Sequence, residues 1–202
     1  MSDSSFLEQG ESLRDLKALE AIAQSPSISQ RDLAQQLGIA LGLTNACLGK
    51  MARKGLIKVS RINGRSLAYH LTPAGFSAKA RLSMEYARTT VGLYRTARQA
   101  VTEGLAILAS EGVTRIALLG VGDVAEIVGI VCAHQGIEIV CLLDEVLDVQ
   151  GTSFMGLPVR PLAELSACDY QAVIVTYLED VEYWVEHVRE MVPEGTPVMK
   201  AI

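Results

Sequence analysis

Cysteine, histidine and aromatic residues are scarce in this sequence of 202 residues. Aromatic residues make up 5% of it, the three histidines lie far apart, and the cysteines stand singly without a C-x-x-C pair. Common zinc motifs need closely spaced Cys and His ligands, so this scatter predicts no metal site. We expect Cys47, Cys132, Cys141 and Cys168 to be reduced thiols in apolar surroundings.

Long apolar segments are also lacking. No apolar run reaches the ~18 residues that a membrane helix needs. The polar start MSDSSFLEQGES does not resemble a secretion signal. We therefore expect a cytoplasmic protein that does not contact a membrane, and a hydrophobic content of 50% suits a chain that buries a core.

Charge is divided unevenly along the chain. Residues 1–111 carry 14 basic and 9 acidic side chains, whereas residues 112–202 carry 4 basic and 14 acidic ones. Such asymmetry indicates two domains with different partners, and it predicts that only the first half contacts nucleic acid.

Two short helices are predicted between Ser27 and Lys54. Ser29 is a good N-cap for the first helix, and Gly38 suits a left-handed C-cap. A second helix, about Leu41 to Lys54, follows after a short turn. This arrangement is typical of a helix-turn-helix.

A hairpin and a basic charge excess follow the two helices. The strands are predicted over Ile57–Arg61 and Leu67–Leu71, and Asn63-Gly64 between them is a strong turn signal. Residues 25–81 contain nine basic side chains and one acidic side chain. A winged helix-turn-helix that binds double-stranded DNA is the reading that fits both features. The alternative is a small helical domain with a solvated basic face.

The second helix needs one face for the core and one for DNA. We expect Leu41, Leu48 and Met51 to face the core, and Asn45 to reach an adenine edge. Alternatively, Asn45 caps or packs locally. An arginine at the hairpin tip suits a narrow minor groove. The residues that we expect to contact DNA are Ser29, Gln30, Arg31, Thr44, Asn45, Lys50, Arg53, Lys54, Arg61, Asn63 and Arg65.

Residues 13 to about 105 resemble the MarR-type winged-helix regulators, specifically the group associated with bacterial exopolysaccharide gene clusters. The resemblance rests on ISQRDLAQQLGI (28–39), the spacing of Gly42 and Asn45, KGLIKV (54–59) and YHLTPAGFSAKARL (69–82). It implies a regulator of transcription that acts on polysaccharide genes.

The chain departs from that group in its reading helix. Ala40, Leu43, Ala46 and Gly49 stand where the group usually has Ser, Lys, Tyr and Lys. The side that faces DNA therefore has fewer hydrogen-bonding groups than the resemblance implies.

A long helix is predicted from Thr72-Pro73 to Ser110, with Thr72 as the N-cap. Its apolar residues recur at coiled-coil-like spacings. They are Ala87, Val91, Tyr94, Val101, Leu105 and Leu108. We interpret residues 73–111 as a linking and dimerisation helix of a homodimer, with a helix that packs on its own domain as the alternative.

Strands alternate with helices in residues 112–202, which predicts a parallel sheet. The strands are expected at 115–119, 137–142, 172–175 and 197–202, with a loop over 151–161 and residues 1–11 as a frayed tail. The predicted fold class is an α+β winged helix-turn-helix domain (1–72) followed by a small α/β Rossmann-like domain (112–202), joined by the long helix.

A G-x-G-x-x-A run follows the first of these strands and opens a helix. With Asp144 about 20 residues further on, it has the context of a dinucleotide-binding fingerprint. We assign Gly120, Gly122 and Asp144 to a ligand of nucleotide type, either NAD(H) or a nucleotide-sugar. Three features weigh against a simple NAD site: Asp123 at the expected N-cap, the acidic surroundings and the small size of the domain. The alternative is a Rossmann-like domain used only for packing or assembly.

This second half is similar in pattern to two families. One is the N-terminal Rossmann-like domain of sugar acyltransferases and other nucleotide-sugar enzymes, which shares the G-x-G-x-x-A-E-I-V start and the later G-L-P-V element at 156–159. The other is the cofactor domain of winged-helix repressors that sense the NADH/NAD balance. We expect a regulator with a ligand-sensing or assembly domain and not an enzyme, because the acidic half contains no nucleophile–base pairing that can be inferred and no Ser-x-x-x-Tyr-Lys-type site. The runner-up is a nucleotide-sugar or NAD-dependent enzyme with a DNA-binding appendage, and a DNA-binding scaffold without a ligand also stays open.

Overall fold

The structure is a computed structural model that describes residues 3–62, 67–146 and 150–202, with side chains from residue 10 onward. The chain divides into two compact units, residues up to Val91 and residues from Gly92 to Ile202. The division falls inside a long helix. We describe each unit by itself.

The first unit contains three helices, a two-stranded sheet and the start of a fourth helix. Its elements are α1 (Asp3–Gln24), α2 (Gln30–Leu37), α3 (Leu41–Arg53), β1 (Ile57–Arg61), β2 (Leu67–Leu71) and the first part of α4 (Pro73–Ser110). The strands pair antiparallel, with Ile57 opposite Leu71. These elements confirm the predicted helix-turn-helix and strands, while the predicted turn at Asn63-Gly64 lies outside the described residues. The prediction of a frayed tail over 1–11 was wrong, since α1 begins at Asp3.

One hydrophobic core holds the first unit together. It takes side chains from every helix and both strands of the unit, including Leu19, Leu33, Met51, Tyr69 and Leu82. Helices as short as α2 and α3, with 8 and 13 residues, are not stable alone in water. Their shared burial in this core therefore fixes the angle between them.

Thr72 and Gly75 join α4 to the turn that follows α3. The Thr72 hydroxyl donates to the carbonyl oxygen of Gly55 at 2.6 Å and accepts from the Gly75 N–H at 3.1 Å. Thr72 is thus the predicted cap of α4. A Cβ on Gly75 would overlap the Leu56 carbonyl oxygen and lie 2.9 Å from Leu71 Cδ2. The backbone of α4 at Gly75 packs directly against the backbone of Leu56, which explains the glycine of the T-P-x-G sequence.

The second unit is built on a six-stranded sheet. Its elements are the rest of α4, β3 (Arg115–Leu119), α5 (Asp123–Gln135), β4 (Glu138–Leu143), β5 (Ser153–Phe154), β6 (Leu157–Arg160), a 3₁₀ helix (Leu162–Ala167), β7 (Ala172–Val175), α6 (Val181–Met191) and β8 (Val198–Lys200). The strand order is β5-β6-β4-β3-β7-β8. All neighbours pair parallel except β5 and β6.

Helices cover both faces of this sheet. Along β3, Ile116 and Leu118 belong to one core, which also contains Val101 and Leu105 of α4 and most of α5. Ala117 and Leu119 belong to the other core, with α6 and the 3₁₀ helix. Alternate burial on two faces explains why β3 reads as a continuous apolar run.

The loop that we predicted over residues 151–161 is wrong. The segment forms the β5–β6 hairpin, and Val159 of β6 pairs with Leu142 of β4. Met155 and Gly156 make the turn with φ angles of 51° and 79°, the left-handed values that a tight hairpin needs. Strands this short carry little periodicity, so their existence depends on the neighbour with which they pair.

The expectation of four reduced cysteines is also wrong. Cys141 of β4 and Cys168 form a disulfide across 27 residues of sequence, with a Cα–Cα distance of 6.1 Å. Cys47 and Cys132 are free and buried. The packing of the 3₁₀ helix against β4 brings the pair together, and spacing along the chain carries no sign of it.

Within the described ranges 3–62, 67–146 and 150–202, no helix is long and apolar enough to cross a membrane. The same residues contain no group of three or more His, Cys, Asp or Glu side chains that could hold a metal ion.

Two of the three glycines of α4, Gly75 and Gly92, give a matched test of this packing. Gly75→Ala should destabilise the first unit by roughly 1–3 kcal/mol, because the added methyl group forces the backbone away from Leu56. Gly92→Ala meets open space in the same helix and should stabilise by ~0.5–1 kcal/mol. Urea unfolding followed by circular dichroism measures both, and equal effects would contradict the close approach at Gly75.

Candidate nucleic-acid interface

Helix α3 is divided into a buried face and an exposed face. Thr44, Cys47, Leu48 and Met51 are buried, with Thr44 completely inaccessible and its hydroxyl donating to the Ala40 carbonyl oxygen at 3.2 Å. The exposure that we predicted for Thr44 is therefore wrong. Leu41, which we placed in the core, is 43% exposed. Positions 44, 47, 48 and 51 share one helical face, and Leu41 lies at the edge of that face in the first turn of α3, outside the core.

Lys50 is engaged within the protein. Its ammonium group forms an ion pair with Glu11 of α1 and lies 3.9 Å from Asp15 Oδ2. This contact lowers the pKa of Glu11 and raises the pKa of Lys50. Burial and the Asp15 carboxylate raise the pKa of Cys47 to about 11, so its thiol stays protonated and can donate to Asp15 Oδ1 at 3.4 Å. Lys50 thus ties α3 to α1.

Ser29 and Gln30 also make contacts inside the unit. The Ser29 hydroxyl accepts from the Asp32 N–H at 3.1 Å and donates to the Asp32 carboxylate at 2.7 Å, as the predicted N-cap requires. The Gln30 amide donates to the Tyr69 hydroxyl at 2.9 Å. These two side chains therefore orient α2, and a role toward DNA would be additional.

Five basic side chains between Arg31 and Arg61 are exposed and, among the residues that the structure describes, form no ion pair. They are Arg31 of α2, Arg53 of α3, Lys54, and Lys58 and Arg61 of β1. Asn45 is exposed as well. The set of DNA contacts expected from the sequence does not include Lys58. Neighbouring residues of a strand point to opposite faces, so the buried Ile57 indicates that Lys58 is exposed. Asn63 and Arg65 lie outside the described residues.

Helix-turn-helix, antiparallel wing and exposed basic side chains occur together in this unit. Residues 12–58 match a family model described as winged helix-turn-helix DNA-binding. The N-terminal unit has a winged helix-turn-helix fold. The match covers less than a quarter of the chain, and we call this part the winged-helix unit.

Solved structures similar to the chain include MarR family proteins. One is a MarR family protein of Mycobacterium tuberculosis in complex with salicylic acid, at 27% identity over 36% of this chain and 55% of that protein, with a TM-score of 0.32. Another is the PcaV transcriptional regulator of Streptomyces coelicolor, at 21% identity over 49% and 76%, with a TM-score of 0.39. A third is FabT of Streptococcus pneumoniae in complex with DNA, at 24% identity over 39% and 55%, with a TM-score of 0.33.

The chain spans about half the length of the first of these proteins, 55%. No curated protein matches the sequence.

The second unit has a crevice at the carboxyl ends of β3, β4 and β7. A cavity of about 530 Å³ lies there, between the loop of residues 121–124 and residues 176–180. The strand order reverses between β3 and β7, which is where open parallel sheets commonly bind ligands.

Asp144 joins the three loops beneath this crevice. It is 1% exposed. Its Oδ2 accepts from the Val121 N–H, while its Oδ1 accepts from the Val146 N–H, both at 2.8 Å. Burial raises the pKa of Tyr177, so its phenol stays protonated and donates to Asp144 Oδ1 at 2.9 Å. Both oxygens therefore hold the loops together, and the burial of Asp144 keeps the carboxylate out of reach of a ribose hydroxyl in this structure.

The two glycines of the fingerprint have different surroundings. Gly120 has φ 106°, and a Cβ there would lie 2.7 Å from Thr176 Oγ1, so this glycine allows two strand ends to pack together. Gly122 has φ 132° and open space around it. Gly122, and not Asp123 as we predicted, is the N-cap of α5, and no side chain caps that helix. The amides at the start of α5 are thus not occupied by the Asp123 carboxylate.

The crevice combines carboxylates with an aromatic wall. Asp123, Glu145, Glu179 and Asp180 line it, and none of its described lining residues is Lys, Arg or His. The ring centroids of Tyr177 and Trp184 lie 5.1 Å apart on one side. Aromatic side chains can pack against a flat organic group, whereas the carboxylates repel a ligand that carries several phosphates.

Salt dependence distinguishes free from engaged cations in the winged-helix unit. If Arg53 contacts a phosphate, Arg53→Ala should reduce the slope of log affinity against log salt concentration by about 0.9. Lys50→Ala should leave the slope unchanged, because Lys50 is paired with Glu11. Fluorescence anisotropy with duplex DNA between 50 and 200 mM salt, roughly the range over which such effects develop, measures both. An equal reduction in the two variants would contradict the assignment of Lys50.

Proposed function

We propose that the chain is a DNA-binding transcriptional regulator of MarR type, without catalytic activity. The observation that carries the proposal is the set of unpaired cations, Arg31, Arg53, Lys54, Lys58 and Arg61, around a helix-turn-helix and its wing. Phosphate contacts supply most of the affinity for DNA, and exposed unpaired cations are the groups that make them. The T-P-x-G element at the start of α4 supports the MarR type.

Selection from a random duplex library tests this function directly. We expect enrichment of a sequence bound by the full chain, with an affinity that falls steeply as salt rises. Genome-wide mapping of bound sites then tests the finer proposal that the targets are polysaccharide genes. Failure to bind any duplex at low salt would overturn the regulator, whereas sites beside other genes would overturn only the target class.

We also propose that the regulator is a homodimer assembled through the middle of α4. This stretch carries apolar side chains that are 42–68% exposed in the single chain: Met84, Tyr86, Val91, Leu93 and Tyr94. Val101, Leu105 and Leu108, by contrast, are buried in the second unit. Met84, Val91 and Tyr94 share one side of the helix, and an exposed apolar side is typical of an interface. A two-fold dimer suits a palindromic operator.

A charge placed in this stretch should break the dimer. We expect Val91→Glu to sediment as a monomer at micromolar concentration and to bind a palindromic site at least tenfold more weakly. Ile107→Glu is the control, because Ile107 is 61% exposed on the same helix outside that stretch. A monomeric unmodified chain, or a dimeric Val91→Glu variant, would contradict the proposal.

For the second unit we propose a Rossmann-like domain that senses a small ligand of nucleotide type in the crevice. Three observations support the proposal: the cavity of about 530 Å³, the helix α5 that starts there without a side-chain cap, and the aromatic wall of Tyr177 and Trp184. The four lining carboxylates favour a ligand whose base and sugar make the contacts over one held mainly by phosphates.

Thermal melting tests this ligand class. A ligand at 100 times its dissociation constant should stabilise the unit that binds it by ~2.7 kcal/mol. We would compare nucleosides, NAD, NADH, coenzyme A and nucleotide-sugars. Val146→Trp fills the mouth of the crevice and should abolish the shift, while Met191→Trp, at a residue 41% exposed on α6, should not. The absence of a shift with every compound would favour an assembly role for the second unit.

A further inference from the structure

The first two turns of α3 expose almost no side chain that can form a hydrogen bond, whereas Arg53 is exposed in the last turn. Around the buried arc of Thr44, Cys47, Leu48 and Met51, the first two turns of α3 expose five residues. These are Leu41, Gly42, Leu43, Asn45 and Ala46. Asn45 alone among them has a polar side chain.

The leucines at the start of α3 have no packing role that accounts for them. Leu41 and Leu43 are each 43% exposed, and neither belongs to the core of the winged-helix unit. A single exposed leucine is ordinary. Two of them in the first turn, next to Gly42 and Ala46, make that end of the helix apolar where a DNA reader usually carries polar groups.

The position of these residues determines what they can meet. In a helix-turn-helix, the N-terminal residues of the second helix contact base edges in the major groove. The thymine C5-methyl group is the apolar feature of that groove, since every other distinguishing group there is a hydrogen-bond donor or acceptor. An apolar surface at this point therefore matches thymine and no other base.

We propose that α3 reads thymine methyl groups through Leu43 and Ala46, with Asn45 supplying the single polar base contact, to adenine. The operator half-site under α3 is then composed of A·T pairs whose thymines face the protein. This proposal rests on the proposed DNA-binding function and names the sequence feature that it recognises. It also explains the departures from the MarR-type group at positions 43 and 46, which replace polar or aromatic readers by small or aliphatic ones.

Deoxyuridine provides the direct test, because it is thymidine without the methyl group and keeps the same hydrogen-bonding pattern. After selection of a binding sequence with the full chain, each thymine is replaced singly by uracil. We expect a loss of about fourfold in affinity for each methyl group that is buried against α3. Uracil outside the half-sites should change affinity little.

A double-mutant cycle then assigns the methyl groups to residues. For the variants Leu43→Ala and Ala46→Gly, the uracil substitution should have little further effect at the thymine that each residue contacts. Leu178→Ala is the matched control, because Leu178 is 69% exposed in the second unit and should leave the uracil effects unchanged. Asn45→Ala should reduce affinity for the selected sequence about tenfold or more, and the preference for adenine should be lost at one position only.

Each contrary result has a distinct meaning. Sequence-specific binding without sensitivity to uracil in the half-sites would overturn the methyl reading and leave the DNA-binding function intact. Sensitivity that persists fully in Leu43→Ala and in Ala46→Gly would assign the methyl groups to other residues and overturn the proposal. Absence of binding to any duplex would overturn both the proposal and the function on which it rests.

Discussion

Burial of one face of α3 is the constraint on which the winged-helix unit depends. Thr44, Cys47, Leu48 and Met51 occupy that face, and the core around them includes residues of α1, α2, both strands and α4. Because one side of a helix packs on the core and the other side stays in solvent, the residues buried on α3 also determine which residues are left to contact DNA. The ion pair of Lys50 with Glu11 fixes the same rotation from the side. What the first two turns of α3 offer outward is therefore apolar apart from Asn45, while Arg53 is exposed in the last turn.

In the second unit a single carboxylate has the comparable role. Asp144 accepts from two backbone N–H groups and the Tyr177 phenol, and these bonds hold the loops after β3, β4 and β7 together. A buried carboxylate is stable only when its hydrogen bonds are satisfied. The crevice above it thus has its shape without help from a ligand, and the residue that resembled a ribose acceptor serves mainly to build the site.

The two units differ in charge as well as in fold. The exposed cations of the winged-helix unit attract a polyanion, whereas the acidic second half of the chain repels one. DNA binding and the proposed ligand binding therefore rest on separate surfaces. A ligand in the crevice can change DNA affinity only if it binds two states of the protein unequally. Helix α4 contributes Leu82 to one core and Val101 to the other, so it is the element in which such states would differ.

The sequence by itself determined the elements whose signals are local. Ser29 and Gly38 marked the ends of α2, Thr72 marked the start of α4, and the apolar runs located β3, β4, β7 and β8. Caps and periodicity depend on neighbours along the chain, and these are visible in the sequence. Leu48 and Met51 face the core as the sequence predicted. Only the tertiary structure decided that Thr44 is buried with them while Leu41 stays exposed, that residues 153–160 form two strands, and that Cys141 meets Cys168. Each of these outcomes depends on contacts between residues far apart in sequence, where no local pattern records the partner.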